Sequence, residues 1–511
     1  MLKKVRNVKL NVRPITINMA HKYYYEGPCR FQAGENLQPG FDQMVNGQML
    51  QLVEMEYRFC MPEFVNMLDH VTLETSDDWE IKDEFFERFF ADDDNVDIYY
   101  VTAFYGTANV FLELCDRAKK PIMMSPGQWT PMNTAAAINM GAEVIYAASW
   151  EKLRLKLTGM LAKKVLREAN LLLINRFGTS IPIAGATDTF PDLRRVTEKF
   201  GIHFRAKNIH EFLDELEPLT PEGNYTTPGK QTPNITEEEI KELESFADTL
   251  LGNAAEVEIE KDKLVKGLIV WKVIQKNMDL YDCMGMAITC PDACSTRRIN
   301  KQQSMFCFAH SLNLEQGIPS ACEYDVAAAV MMLVEIAISG KAPYMGNTMP
   351  LGKLPNGDIE WPWFIDEEEQ KKLMEKTNLD NIYIVHHSTV HRKFHGLDTP
   401  DDPYAIRHFT YDQKFGPIFR YDFNADEGQV ITLARFSGDL KRMMICRGEI
   451  IMGHGYHRQN CNSGFFFRVK DADKVFEVQL RSGIHLPLIY GDYVNELAAV
   501  ADALGLEAEI V

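Results

Sequence analysis

The sequence lacks the features that would direct a protein to nucleic acid or to a membrane. Its 511 residues carry 54 Lys and Arg against 73 Asp and Glu, a formal net charge of -19, and no basic block offsets this charge. Such a chain is poorly suited to polyanionic nucleic acid or anionic lipid as a partner. No apolar stretch is long enough to span a bilayer, and residues 1–8 lack the apolar segment of a signal peptide.

Cysteine is present but lacks the spacing of a structural site. The ten cysteines are scattered, without a CxxC pair or a tight framework. Reduced thiols fit this pattern best, which predicts a cytoplasmic protein. The length predicts about three domains of about 150 residues each.

The first two thirds of the chain alternate between predicted strands and helices. Val96–Val101 and Pro121–Met124 flank a helical pattern at residues 106–119. A second alternation begins with the apolar strand Leu171–Ile174 and reaches the strand Gly285–Cys290. This alternation predicts parallel sheets covered by helices.

The last third changes character. Pro and Gly cluster between residues 350 and 357, and short apolar runs separated by turn signals follow. These runs predict an antiparallel barrel or sandwich. The predicted fold class is therefore α/β, with two Rossmann-like parallel-sheet domains (1–168 and 169–350) and a β-rich C-terminal domain (351–511).

Two titratable residues stand in apolar runs where such groups are rare unless they are paired or bound to metal. Glu323 is predicted at the N-terminal end of an apolar helix that extends to about Ile338, where the helix dipole favours negative charge. His485 lies in a strand-like apolar run. Taken singly, Glu323 is more simply a stabilising acid and His485 a satisfied core histidine. Two such residues far apart in sequence suggest one site assembled by the fold.

Two further polar residues follow apolar strand candidates. Asp292 comes directly after Gly285–Cys290, and Asn347 closes the segment after the apolar helix. Ligands of open α/β sheets bind at the carboxyl ends of strands, so both positions suit a cleft. For Asp292 alone, an ordinary loop residue is the likelier interpretation.

Three segments together resemble the L-fucose isomerase / L-arabinose isomerase superfamily. Gly483–Asp492 with the helical pattern after it resembles the family's C-terminal His-bearing strand and closing helix. Ala321–Asp325 is similar to the segment with the metal-binding Glu, and Gly428–Arg435 is similar to a Thr-bearing strand. The resemblance implies a manganese-dependent aldose–ketose isomerase, although other divalent cations would also serve, and a homo-oligomer such as a hexamer.

The resemblance also implies roles for individual residues. Glu323 and His485 would bind the metal, and Glu323 would also act as the general acid/base. Asn347 falls where the family has a second acidic ligand, and we include it in the metal-binding and catalytic set. An amide oxygen can coordinate a cation but cannot act as a base. Either the correspondence is displaced locally, or the metal binds more weakly, or another carboxylate such as Asp325, Asp292 or Asp358 takes over the acid/base role.

Substrate contacts are predicted at His387, Arg435 and Asp292, and at Arg30 from a neighbouring subunit. His391, Arg392, Lys393 and His395 are either further sugar ligands or a solvated loop. The substrate class is a deoxyhexose, a pentose or a modified hexose such as a sulfonated sugar, for which Arg297 and Arg298 would add positive charge. The alternative is a non-catalytic or altered-chemistry sugar-binding protein of the same fold.

Overall fold

The computed structural model describes residues 2–20, 41–76, 83–103, 108–127, 130–176, 186–219, 232–290 and 297–511. Residues 8–161 form one compact unit, and residues 162–511 with residues 1–7 form another. The predicted substrate ligands Arg30 and Asp292 lie outside the described residues. None of the described helices has the length and apolar character that a membrane crossing requires.

The unit of residues 8–161 is built on a parallel sheet. Its strands are β1 (Leu10–Ala20), β2 (Val65–Met67), β3 (Val71–Ser76), β4 (Ile98–Ala103), β5 (Ile122–Met123) and β6 (Val144–Ile145). Its helices are α1 (Phe41–Cys60), α2 (Asp83–Phe89), α3 (Ala108–Arg117), α4 (Thr130–Asn139) and α5 (Trp150–Glu168). The strand order is β2-β1-β4-β5-β6, and β3 also pairs with β1. All described pairings are parallel, which confirms the predicted alternation.

The second unit contains the remaining elements. Its strands are β7 (Asn170–Asn175), β8 (His203–Asn208), β9 (Glu256–Glu258), β10 (Gly285–Ile288), β11 (Ser320–Ala321), β12 (Tyr344–Pro350), β13 (Gly352–Lys353), β14 (Ile359–Glu360), β15 (Ile382–His387), β16 (Ala405–His408), β17 (Pro417–Arg420), β18 (Val430–Phe436), β19 (Arg442–His454), β20 (Ser463–Val469), β21 (His485–Tyr490) and β22 (Glu507–Ile510). Its helices are α6 (Leu193–Phe200), α7 (Ile209–Asp214), α8 (Glu237–Asn253), α9 (Lys261–Leu280), α10 (Arg297–Gln302), α11 (Cys307–Leu314), α12 (Val326–Ser339), α13 (Glu367–Lys376), α14 (Ala472–Ser482) and α15 (Val494–Leu504). Short 3-10 helices lie at Val5–Asn7 and Phe423–Asp426 in this unit, and at Asp93–Asn95 in the unit of residues 8–161.

Local sequence signals explain several of these helix boundaries. Helix α6 ends at Gly201, whose left-handed backbone lets the chain turn away from the helix. Helix α8 begins with the predicted capping box, in which the Thr236 side chain and the Glu239 side chain each accept a backbone N–H. Helix α12 ends before Gly340, also left-handed.

Two sheets of the second unit define the position of the candidate site. The first is parallel, with the order β11-β10-β7-β8. The second is antiparallel in the order β18-β21-β12-β15-β20-β19, and the pairing of β18 with β19 closes it into a six-stranded barrel. Strand β22 adds to β19 in parallel. The predicted fold class, with a β-rich C-terminal barrel or sandwich, is confirmed.

The two sheets share one hydrophobic core. Residues of the parallel sheet such as Leu172 and Met286 belong to the same buried cluster as Tyr344, Leu433 and Leu488 of the barrel. Strand β12 is a barrel strand although it lies before residue 350. The division into domains at residues 168 and 350 stays a prediction.

Candidate metal centre

Glu323 lies in the short connection between β11 and α12, at the carboxyl end of the parallel sheet. The prediction that it opens the helix is wrong: α12 begins at Val326, and Asp325 is the N-cap whose carboxylate accepts the Ala328 N–H. Both Glu323 and Tyr324 have a φ of 55°, in the left-handed region that costs energy for residues with a Cβ. The sequence contains no glycine here to relieve that cost.

Backbone hydrogen bonds hold this strained connection on both sides. The Ala186 N–H donates to the Glu323 carbonyl at 2.8 Å, and the Tyr324 N–H donates to the Ile288 carbonyl at 2.8 Å. The second bond ties the connection to the last residue of β10. The Glu323 side chain is therefore directed by the fold and not by a helical periodicity.

His485 is the first residue of β21, and the prediction that it lies in a strand is confirmed. Its side chain is 3% exposed. In the barrel it pairs directly with Asn347 of β12, and Asn347 pairs on its other side with His386 of β15. Directly opposed residues of antiparallel strands project to the same face, so Asn347 lies beside His485.

The structure brings Glu323, His387 and His485 together. One Glu323 oxygen lies 3.5 Å from His387 Nε2, and the other lies 3.5 Å from His485 Nε2. The three potential ligand atoms all lie within 4.8 Å of one another. The two residues whose meeting the sequence predicted are thus adjacent, and His387 joins them from the end of β15.

The two imidazoles of this group have buried ring nitrogens that make no hydrogen bond to a described residue. Among the described residues, His387 and His485 each leave both ring nitrogens without a hydrogen-bond partner, whereas the buried His310, His391 and His454 each leave one. Buried polar groups are normally hydrogen-bonded, because burial without a partner costs free energy. Two unpaired imidazoles facing one carboxylate fit a divalent cation, for which nitrogen and oxygen ligands are common.

His386 shows how a satisfied neighbour differs. Its Nδ1 lies 2.7 Å from the Cys461 carbonyl, and its ring packs on Phe364 with 4.3 Å between centroids. Burial lowers the pKa of His386 to about 4. It is a neutral core histidine, adjacent in sequence to His387 and unlike it in environment.

The electrostatics of the centre keep its carboxylate ionised. The imidazole of His387, with that of His485, holds the pKa of Glu323 below its ordinary value against the effect of burial. Burial lowers the pKa of His485, but Asp188 and Asp325 outweigh it and raise the pKa to about 10. The side chain of Glu323 is 29% exposed, so this carboxylate, and not the buried imidazoles, is accessible to a small molecule.

A second group of carboxylates lies on the other side of the His485 ring. His485 Nδ1 is 3.2 Å from an Asp325 oxygen and 3.6 Å from an Asp188 oxygen. These three residues also have potential ligand atoms within 4.8 Å of one another. However, Arg435 donates from one guanidinium nitrogen to Asp325 at 2.7 Å, so a cation of the protein itself already neutralises this group.

Arg435 is committed to this internal role. Its side chain is 0% exposed. Its five N–H donors point to Asp325, which receives two, and to the carbonyls of Asp188, Ser482 and His485. No donor is left for a sugar hydroxyl, which favours a positioning role over the predicted substrate contact.

Most of the cations that the sequence offered to an anionic sugar are also engaged internally. Arg392 pairs with Glu315 and Asp401 at 2.8 Å each, and Lys393 pairs with Asp401 at 2.9 Å. Arg298 pairs with Asp214, and His395 pairs with Asp402 and Asp426. The side chain of Arg297 lies outside the described part of the structure. His391 and Arg392 are buried, so the solvated-loop interpretation is wrong for them. Asp358, one substitute for the missing acid, is exposed between β13 and β14.

Sequence reasoning missed Asp188, which lies in a turn of the segment Ala186–Phe190, where nothing in the sequence distinguishes it from an ordinary loop acid. Asp325 was considered only as a substitute acid, yet it contacts His485 from the side opposite Glu323. The signal that could have pointed to this contact is the N-cap position of Asp325 before a predominantly apolar helix.

Comparison with known proteins gives one informative likeness. No protein-family model matches the chain. It is 26% identical over 197 residues to a sulfoquinovose isomerase of Clostridium sp. (strain MSTE9). The match covers 38% of this chain and 37% of that protein, so the chain aligns with well under half of its relative. The relative is a sugar isomerase, the broad class of enzyme that the sequence resemblance predicts.

Proposed function

We propose that this protein is a metal-dependent aldose–ketose isomerase that acts on an open-chain sugar through an enediol(ate). The observation that carries the proposal is the Glu323 carboxylate between His387 Nε2 and His485 Nε2, neither of which has a hydrogen-bond partner among the described residues. The likeness to a sugar isomerase supports the same class of reaction.

Glu323, His387 and His485 would hold a divalent cation, manganese by family resemblance. When bound, the ion would polarise the carbonyl and neighbouring hydroxyl of the sugar and acidify its C2 proton. The ligand set supports this assignment because carboxylate and imidazole suit ions of intermediate softness. The test of fit is the pair of Nε2 atoms that have no hydrogen-bond partner in the described part of the chain and face the same carboxylate.

The chain's own residues would move the proton. Glu323 is ionised and partly exposed, so its carboxylate would remove the C2 proton and return it to C1. The apolar surroundings of β21 and α12 would limit water around the enediol(ate). The buried Asp325 and Arg435 would hold the histidine in place.

Asn347 motivates a second candidate function. Asn347 pairs with His485 on the neighbouring barrel strand. It brings no carboxylate to the position where the family has an acid. A protein that binds a sugar without isomerising it, or with altered chemistry, is the second candidate. The proposed sugars for either function are a deoxyhexose, a pentose or a modified hexose such as a sulfonated sugar, and the proposed assembly is a homo-oligomer.

Activity on a panel of sugars tests the proposal. Protein stripped of metal and reloaded with Mn²⁺ is incubated with aldopentoses, 6-deoxyaldohexoses and sulfoquinovose, and ketose formation is followed by chromatography. We expect one sugar pair to be interconverted and Glu323→Gln to reduce kcat by at least about 10²- to 10⁴-fold, since a general base is lost.

A matched control separates this effect from a general loss of acid. Glu375→Gln changes an exposed glutamate on α13 and is expected to leave kcat unchanged. Full activity in Glu323→Gln would sink the isomerase proposal. Binding of a panel sugar without conversion by the Mn²⁺-loaded wild type would favour the second candidate.

A further inference from the structure

A turn at residues 186–190 makes hydrogen bonds to three segments of the candidate metal centre. The Ala186 N–H donates to the Glu323 carbonyl at 2.8 Å, and the Thr189 hydroxyl accepts the Ala327 N–H at 3.1 Å. The Asp188 carbonyl accepts a guanidinium N–H of Arg435 at 2.8 Å. The turn therefore fixes the backbone of Glu323 and the start of α12, and it contacts the arginine of β18.

The Asp188 side chain extends this connection to His485. One carboxylate oxygen accepts the Ile484 N–H at 2.8 Å, directly before the histidine. The other oxygen lies 3.6 Å from His485 Nδ1. Asp188 thus contacts both the backbone that leads into β21 and the ring nitrogen that faces away from Glu323.

The sequence provides room for this carboxylate. Gly483 has a φ of +101°, and a Cβ at that position would lie 2.2 Å from an Asp188 oxygen. Any other residue at position 483 would displace the carboxylate or strain the backbone. The glycine and the aspartate, nearly 300 residues apart, fit each other at this contact.

We propose that Asp188 is a positioning residue that orients the His485 ring, so that its Nε2 faces Glu323 and the cation. The proposal rests on the function proposed above. Residues behind a metal-bound histidine fix its ring orientation and tautomer, and their loss commonly weakens metal binding 10- to 100-fold. Asp188 is not itself assigned as a ligand, since its oxygen faces Nδ1 and the Arg435 side chain occupies that side.

Mn²⁺ binding to the full-length protein tests this role. The fraction of free Mn²⁺ is measured by its electron paramagnetic resonance signal in titrations of metal-free wild type, Asp188→Asn and Asp188→Ser. Either replacement offers an oxygen to the Ile484 N–H but removes one of the two carboxylate charges beside Nδ1, while that of Asp325 remains. We expect Kd for Mn²⁺ to rise about 10- to 100-fold in both variants. The melting temperature of the metal-free protein is measured in parallel, because a merely structural role would lower it without this selective loss.

Asp192→Asn is the matched control. Asp192 belongs to the same loop and caps α6 by accepting the Arg194 N–H, a task that asparagine performs equally well. Its Kd for Mn²⁺ should equal that of the wild type.

Each outcome decides the question. Unchanged Mn²⁺ affinity in Asp188→Asn and Asp188→Ser, beside normal binding by the wild type, would overturn this inference alone. Loss of the folded state in both variants, or equal weakening in Asp192→Asn, would assign the loop a structural role and also overturn it. Wild-type protein that binds no Mn²⁺ would overturn the proposed function together with the inference.

Discussion

The two sides of the His485 ring differ in how their carboxylates are neutralised. On the Nδ1 side, two carboxylates are neutralised by Arg435, a fully buried cation whose five donors are all used. On the Nε2 side, Glu323 lies between His387 and His485, and no lysine or arginine among the described residues pairs with it. The difference indicates which side is open to an external ion, because only the Nδ1 side is neutralised by a guanidinium.

The contrast also explains why two carboxylates two residues apart differ in role. Asp325 is fully buried, caps α12 and is held by Arg435. Burial raises the pKa of Asp325, but Arg435, with His485, outweighs it and the pKa stays below its ordinary value. Glu323 has no such partner and is partly exposed, so it is the carboxylate free for chemistry.

The largest expected effect is loss of the internal cation. Arg435→Met leaves the buried Asp325 and the partly exposed Asp188 without their guanidinium, and we expect the free energy of unfolding to fall by about 3–5 kcal/mol. Urea unfolding of wild type and variant measures it. Arg447→Met, which breaks a half-exposed pair with Asp492, should cost less than about 1 kcal/mol. An equally small loss of stability in Arg435→Met would contradict the conclusion that Arg435 neutralises the carboxylates on the Nδ1 side of His485.

The next effect concerns the Nε2 side of His485, where a metal ion is proposed to bind. At 100 times its Kd, Mn²⁺ should stabilise the wild type by about 2.7 kcal/mol, and EDTA should reverse the rise in melting temperature. His387→Ala should remove most of this rise, since it deletes one ligand. His386→Ala, at the neighbouring core histidine, should keep it even where the metal-free protein melts earlier. A full Mn²⁺ response in His387→Ala would remove His387 from the ligand set.

The smallest effect, when taken over a single pH unit, comes from a carboxylate that has no cation beside it. Glu335 on α12 is fully buried, and its two oxygens have no hydrogen-bond partner among the described residues. Burial raises its pKa well above the ordinary value. The native state therefore retains a proton that the unfolded chain releases, so stability should fall as pH rises above the ordinary carboxyl pKa. The slope is about 1.4 kcal/mol per pH unit until the native pKa is reached.

Urea unfolding of Glu335→Gln and wild type at several pH values between 5 and 8 measures this slope. The variant should lose less stability than the wild type as pH rises. Glu367→Gln, at an exposed position of α13, should follow the wild-type curve. Identical pH dependence in Glu335→Gln and wild type would show that Glu335 is not buried as a neutral acid.

Local patterns were sufficient to predict several strands, the capping box of α8 and the two costly polar residues, although not the start of α12. The apolar runs around Leu171–Ile174 and His485 became strands because a continuous apolar segment bounded by turn signals suits a buried strand. The meeting of Glu323 with His485 could be anticipated because an unpaired buried polar group requires a partner.

The remaining features depend on contacts between distant segments, which no local pattern encodes. Arg392 finds its partner Glu315 77 residues away, so its sequence neighbourhood suggested a solvated loop or a sugar site instead. The left-handed backbone at Glu323 and Tyr324 carries no glycine or asparagine signal. The identity of the cation, the oligomer and the cytoplasmic location stay predictions.

The barrel also determines when the centre can exist during biosynthesis. Its histidine enters through β21, which pairs with β12 and β18. His485 is translated about 160 residues after Glu323, a delay of roughly 8–30 s at about 5–20 residues per second. Until then the nascent chain offers at most Glu323 and His387, so the three proposed ligands are complete only once the last of the six barrel strands has been made. Late synthesis of His485 would thus delay the binding of a metal ion until the barrel can close.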